Sequence, residues 1–168
     1  MVRYRLNRVP GGTFFFTVTL RNRRSDLLVA RIDALREAWR SAKARVPHEV
    51  VAAVVLPDHL HAVIATRDTN GNYPRLWQDI KKGFTRRVQT PGTLSPWQAR
   101  YWEHTLRDED DLRQHVDYVH INPLKHGLVA RVRDWPHSSF HRYIDRGQLS
   151  CDWGHDLKPI KYPRIKPA

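Results

Sequence analysis

Two histidines, His59 and His61, stand two residues apart in the run Leu56-Pro-Asp-His-Leu-His-Ala-Val-Ile64, which is otherwise largely aliphatic. Side chains two apart on a strand project from one face, so both imidazoles could converge on a single cation. A second segment, Tyr118-Val-His-Ile-Asn-Pro123, sets Tyr118 four residues before Asn122. On a helix these two share a face about one turn apart. Neutral imidazoles suit Mn²⁺ and other transition ions, and they serve Mg²⁺ where water and phosphate oxygens complete its shell. Beside such an ion the Tyr118 phenol is a candidate nucleophile toward a phosphodiester, and the Asn122 carboxamide oxygen a candidate third ligand. Plainer roles compete with these: half-buried strand histidines, a core tyrosine, and Asn122 as a C-terminal helix cap ahead of Pro123. On that helix His120 faces away from Tyr118 and makes a poor base. Glu103 and His104 could either line the site or lie on the surface.

The elements that must position these groups follow from the pattern of apolar residues. Thr13-Phe-Phe-Phe-Thr-Val-Thr-Leu20, dense in aromatic and β-branched residues after Gly11-Gly12, predicts a first strand. Leu28, Val29, Ile32, Leu35 and Trp39 recur at helical spacing, predicting one helix from Leu27 to about Val46 with Ser25 or Asp26 as its cap. A second strand is expected over Glu49 to Leu56. Pro57-Asp58 is read as a turn into a third strand, His59 to Thr66, which carries the histidines at its start. Leu76, Trp77, Ile80 and Phe84 share one face of a further helix that also holds Lys81, Lys82, Arg86 and Arg87. Trp97 to Leu106 is expected to be a fourth strand or an ordered hairpin. Asp108-Glu-Asp-Asp111 then opens a helix through Leu112, His115, Val116 and Val119, which Pro123 is expected to close. A short helix is expected over Pro136 to Tyr143. Strands and helices in this order predict an α+β sandwich, an antiparallel sheet with helices mainly on one face. The expected division is a domain over residues 1–147 and a basic, proline-containing tail over 148–168.

With 168 residues the chain supports one domain with a sizeable core, and two independent enzymatic domains are not expected. A formal net charge of +12 points to a polyanionic partner, with nucleic acid first. No stretch of about 18 or more apolar residues is present, and no apolar leader opens the sequence, so a soluble, unexported, cytoplasmic protein without a membrane partner is expected. The single cysteine, Cys151, excludes an internal disulfide and any zinc site built on several thiolates. Lys81, Lys82, Arg86 and Arg87, with Trp77 and Phe84 among them, could form a strand-binding face, although the aromatics fit a core equally well. Arg3, Arg5 and Arg8 are candidates for a phosphate-binding arm, as are Lys158, Lys161 and Lys166 in the tail. Phe14, Phe15 and Phe16 would suit base stacking in an RNA-binding module or simply a core.

Four segments taken together resemble the REP-associated tyrosine transposases, a branch of the HUH single-strand transposases with one catalytic tyrosine. They are Val54-Val-Leu-Pro-Asp-His-Leu-His61, Tyr101-Trp-Glu-His-Thr-Leu-Arg-Asp-Glu-Asp110, Tyr118-Val-His-Ile-Asn-Pro-Leu-Lys-His-Gly-Leu-Val129 and Trp135-Pro-His-Ser-Ser-Phe-His-Arg-Tyr143. They occur in the family's order, and the resemblance covers roughly residues 1–154. The resemblance implies a ferredoxin-like fold in which His59 and His61 form the HUH metal pair for Mg²⁺ or Mn²⁺. It further implies that Tyr118 attacks a phosphodiester of single-stranded DNA, leaving a 5′-phosphotyrosine link and a free 3′-OH. Asn122 stands where related single-tyrosine enzymes place a glutamine ligand. The implied substrates are repetitive extragenic palindromes folded as hairpins, and the implied state is a monomer associated with the nucleoid. A non-catalytic hairpin-binding protein of the same fold is the alternative function.

Overall fold

The computed structural model describes residues 11–66, 72–89 and 92–155. Arg3, Arg5, Arg8, Lys158, Lys161 and Lys166 therefore lie outside the described residues. Strand β1 (Thr13–Thr19) is followed by a single turn, α1 (Leu27–Ala30), and the longer α2 (Ile32–Arg45). Next come β2 (His48–Val55), β3 (His59–Thr66) and α3 (Tyr73–Val88). The chain continues with β4 (Trp102–Thr105), α4 (Glu109–Lys125) and α5 (Phe140–Asp145). The four strands form one sheet in the order β2-β3-β1-β4, with antiparallel pairing throughout. A strand–helix–strand–strand–helix–strand path with this order is the ferredoxin-like arrangement, and the expected α+β class holds.

Alternation along the strands divides the core in two. Phe14, Phe16, Val18, Leu60, Ala62 and Ile64 face α2 and α3 and pack with Leu35, Trp77, Ile80 and Phe84. Each of the large side chains here is essentially fully buried, worth roughly 1.5–3 kcal/mol against exposure. The opposite face presents Phe15, Ala52, Val54 and Val63, which α4 covers with Val116, Tyr118 and Val119. Two of the long helices thus share one face, and α4 crosses the other. Leu149 and Trp153 pack with Ile121, Val132 and Phe140 in a third, smaller cluster.

Three local expectations change. The first helix breaks at Arg31 (φ −121°, ψ 38°), and its first turn is tied to the β2–β3 turn by the Leu28 N–H, which bonds the Pro57 carbonyl at 3.1 Å. Asp26 takes the N-cap position without a side-chain cap bond, and Ser25 Oγ, one residue earlier, accepts from Leu27 N–H at 3.1 Å. The fourth strand is shorter than Trp97–Leu106: Trp97 bridges Leu20, but the Gln98 carbonyl turns to the Lys81 ammonium at 2.9 Å and pairing resumes only at Trp102. Most consequential, Pro123 does not end α4. The helix runs to Lys125 and stops in a Schellman arrangement: Gly127 (φ +68°) donates to Leu124 O, and Leu128 N–H donates to Pro123 O. His120, Ile121, Asn122 and Pro123 are all buried, and that packing outweighs the hydrogen bond lost at proline.

Candidate metal and nucleophile site

His59 and His61 lie on the sheet face that α4 covers, in register with Thr19 and Thr17 of β1. Each ring is fixed through its Nδ1. His61 Nδ1 and Thr17 Oγ1 are 2.8 Å apart, and His59 Nδ1 lies 2.7 Å from Asp58 Oδ1, whose other oxygen pairs with Arg23. Donating Nδ1–H to Thr17 or to Asp58 leaves the Nε2 lone pair of each ring for another partner, the arrangement that outer groups impose on metal-binding imidazoles. The two ring centres are 5.0 Å apart with planes at 82°. Burial holds both pKa values below the ordinary value, that of His61 well below, so both rings are neutral at neutral pH.

Helix α4 brings the remaining groups. The Asp108 carboxylate caps its start by accepting from Asp111 N–H at 2.8 Å, and Glu109, Asp110 and Asp111 complement the helix dipole there. Tyr118, 7 % exposed, packs edge-on against His61 at 5.2 Å and against Phe15 at 5.8 Å. Burial raises its pKa, while the Asn122 side chain pulls the other way. Asn122 is fully buried in the helix interior, which removes its capping role. Neither its Oδ1 nor the Nε2 of His61, both buried, has a partner at hydrogen-bond geometry, although the two side chains are close enough for Asn122 to raise the pKa of His61 against the effect of burial. Buried polar atoms of that kind are costly unless something satisfies them. A divalent cation accepts electron pairs from such atoms, so His59 Nε2, His61 Nε2 and Asn122 Oδ1 fit the implied metal.

Sequence reasoning missed two residues at this site. His126 caps α4 with its ring 5.3 Å from that of His59, and the Lys125 ammonium lies 4.8 Å from the centre of the Tyr118 ring. Tyr118, Asn122 and His126 are spaced i, i+4, i+8, a signal that the expected stop at Pro123 concealed. Neither of the two remaining candidates joins the pair. Glu103 sits opposite Phe16, on the other side of the sheet. His104 is on the right face but one row beyond, opposite Phe15, with its Nε2 2.9 Å from Asp111 Oδ2. His104, Asp111 and His115 form a group whose ligand-type atoms lie within 4.8 Å of one another. His120 is turned away from Tyr118 as expected, its Nε2 2.9 Å from Ser139 Oγ.

The basic residues of α3 lie on the far side of the sheet from the histidines. Lys81 is tied to Gln98 O and stands over Tyr101 at 5.4 Å, and burial lowers its pKa to about 8. Arg87 turns toward α2, pairing with Glu37 at 3.3 Å. Lys82 and Arg86 are exposed. Lys81 and Lys82 line a cleft of about 670 Å³ together with Arg21, Arg75 and Tyr101. The cleft lies toward the end of the sheet where β3 starts, because Gln98 N–H, on its wall, bonds the carbonyl of Thr19, the partner of His59.

No protein-family model matches the chain. It is similar to a REP-associated tyrosine transposase of Escherichia coli K12, 45% identical over 157 residues that cover 94% of this chain and 93% of the relative. A relative from Haemophilus influenzae Rd carrying the same family description is 37% identical over 171 residues, covering 94% and 97%. The solved structure of a REP-associated tyrosine transposase bound to a REP hairpin superposes with a TM-score of 0.89 at 42% identity over the whole of both chains. The buried histidine pair facing a tyrosine on α4 thus sits in a fold and a sequence that agree, and the chain belongs to the REP-associated tyrosine transposase family.

Proposed function

We propose that the protein is a site-specific single-stranded DNA endonuclease and strand transferase acting on REP-type hairpins, with Tyr118 as nucleophile. The observation that carries this is the placement of Tyr118 against His61, beside the two buried, unpartnered atoms His61 Nε2 and Asn122 Oδ1. The hairpin bound in the related solved structure supports the substrate class. His59, His61 and Asn122 would hold a divalent cation, Mg²⁺ or Mn²⁺. Such an ion, when bound, would withdraw charge from the scissile phosphate and stabilise the negative charge on the leaving 3′ oxygen. Tyr118 Oη forms the new bond to phosphorus while the bond from phosphorus to the 3′ oxygen breaks, and the phenolic proton ends on the released 3′-OH. The raised pKa of Tyr118 means that the phenol enters this step protonated. The Lys125 ammonium over its ring favours the charge that develops as the proton leaves.

Exposed Lys82 and Arg86 and the cleft residues Arg21 and Arg75 are proposed to neutralise DNA phosphates, with Lys81 and Arg87 contributing less because both are already engaged. Arg3, Arg5 and Arg8 keep their proposed role as a phosphate-binding arm. A monomer is proposed because the free edge of β2 is covered from within. Val55 N–H bonds His137 O, Ser139 N–H bonds Ala53 O, and Arg142 and Tyr143 take the carbonyl of Val51. Among the described residues no helix is long and apolar enough to cross a membrane. The deciding experiment incubates the protein with a labelled REP-type hairpin and Mn²⁺ and looks for a denaturation-resistant adduct. Tyr118→Phe is expected to keep hairpin binding and lose the adduct. An undiminished adduct overturns the assignment, and binding without any adduct in the wild type establishes the non-catalytic alternative.

A further inference from the structure

We propose that His126 is a fourth protein ligand of the cation held by His59, His61 and Asn122, making a three-histidine, one-asparagine site that prefers transition ions such as Mn²⁺, Co²⁺ or Zn²⁺ to Mg²⁺. This rests on the metal reading above and extends it.

The geometry of the rings carries the inference. Two imidazoles bound to one ion at 2.0–2.1 Å with a near-tetrahedral angle have ring centres about 5.2 Å apart. The His59 and His61 rings are 5.0 Å apart with planes at 82°, and the His59 and His126 rings are 5.3 Å apart with planes at 70°. His126 therefore stands to His59 much as His61 does, from the opposite element. Its position is set by α4 rather than by a loose loop. The helix continues through Pro123, His126 N–H closes the last turn on Asn122 O at 3.0 Å, and Gly127 at φ +68° turns the chain away immediately afterward.

Burial assigns the ligands complementary parts. His59, His61 and Asn122 are at most 6 % exposed and form the floor, whereas His126 is an exposed residue at the mouth, where a phosphate would approach. Mg²⁺ demands oxygen ligands in octahedral geometry and retains several waters, which a fourth protein group at the mouth leaves little room for. Three imidazole nitrogens and one amide oxygen match the preferences of later divalent ions.

The test uses the full-length protein without DNA, titrated with Co²⁺ and read by its visible absorption, with Mg²⁺ competition and circular dichroism as the fold control. The wild type is expected to give the intense bands of a low-coordinate Co²⁺ site that excess Mg²⁺ does not displace. His126→Ala is expected to weaken Co²⁺ binding by more than about tenfold and to diminish the bands, since even indirect partners of a metal site are worth that much. His126→Gln, which restores size without the imidazole nitrogen, is expected to behave like the alanine variant. If His59→Ala abolishes Co²⁺ binding while both His126 variants keep wild-type affinity and spectrum, His126 is not a ligand and the site of the previous section stands without it. If the wild type binds no Co²⁺, or binds it unchanged in His59→Ala, the metal reading fails and this inference with it.

Discussion

Helix α4 has a histidine cluster at each end, and the two are built differently. At its start, His104 Nε2 lies 2.9 Å from Asp111 Oδ2, and His115 Nδ1 lies 2.8 Å from Asp111 O and 3.1 Å from Asp111 Oδ1. The same carboxylate accepts Arg107 N–H at 3.1 Å. At the other end, the Nδ1 atoms of His59 and His61 are engaged by Asp58 and Thr17, while His61 Nε2 and Asn122 Oδ1 are buried without partners. The first cluster has its own anion, which engages His104 Nε2 and His115 Nδ1 and holds α4 against β4, leaving His115 Nε2 buried without a partner. In the second the one carboxylate described, Asp58, is engaged at His59 Nδ1, and His61 Nε2 and Asn122 Oδ1 are left for a group from outside. Each cluster holds a buried imidazole Nε2 without a partner, so neither proximity nor one unsatisfied nitrogen separates a clamp from a binding site; the carboxylate already bridging the two rings of the first cluster does.

Removing one group from each end should separate the two clusters. His61→Leu is expected to lower adduct formation by at least about 100-fold, because a bound metal supplies several kcal/mol of transition-state stabilisation. Its metal-free stability should stay within about 1 kcal/mol of wild type, since removing a buried, unsatisfied nitrogen offsets the loss of the Nδ1 bond to Thr17. A large loss of Tm in His61→Leu would mean that the open end is structural after all. Asp111→Asn should do the reverse: a loss of about 1.5–3 kcal/mol, seen as a Tm lower by several degrees, with adduct formation changed less than about tenfold. If Asp111→Asn instead leaves Tm alone and abolishes Mn²⁺ binding, the clamp is the metal site.

Between the two ends, His120 offers a pH-dependent control. Burial lowers its pKa from 6.5 to about 3, so the folded protein holds it neutral beside Ser139 while the unfolded chain protonates it near 6.5. The unfolded state then binds more protons throughout that window. The stabilisation from this group is complete above pH 6.5 and is lost as the pH falls toward 3. Tm measured against pH should fall less steeply over that range in His120→Gln than in wild type. Parallel curves would show that the ring is not kept neutral.

The contrast between the ends also explains what was legible in the sequence. His59, His61, Tyr118 and Asn122 were readable because strand and helix periodicities are local, and the segments that carry them bury one face each. The sheet followed for the same reason, from Phe14 to Val18 and from Leu60 to Ile64. Lys125 and His126 were hidden by a local rule that tertiary packing overrides: proline costs a helix about 3 kcal/mol, but Pro123 sits in a fully buried turn of α4 whose packing exceeds that. The basic residues of α3 show a different limit. A helical stripe shows which residues share a face, but not which side of the sheet the helix occupies.

The smallest expected effect tests how the open end is held in place. Gly127 ends α4 at φ +68°, a conformation that side chains with a Cβ rarely adopt, and nothing lies within 4 Å of where that Cβ would be. Gly127→Ala therefore introduces backbone strain and no clash, at a cost of about 1 kcal/mol and a few degrees of Tm. Because Gly127 directly follows His126, the chain can relieve the strain by unwinding the last turn of α4, which draws His126 away from His59 while leaving Tyr118 and Asn122 in the helix. Mn²⁺ affinity in Gly127→Ala should then fall by several-fold, less than in His126→Ala, whereas Asp111→Asn, at the far end of the same helix, should leave it unchanged. Equal Mn²⁺ affinity in Gly127→Ala and wild type, with the Tm lowered as expected, would show that the open end does not depend on the terminal turn.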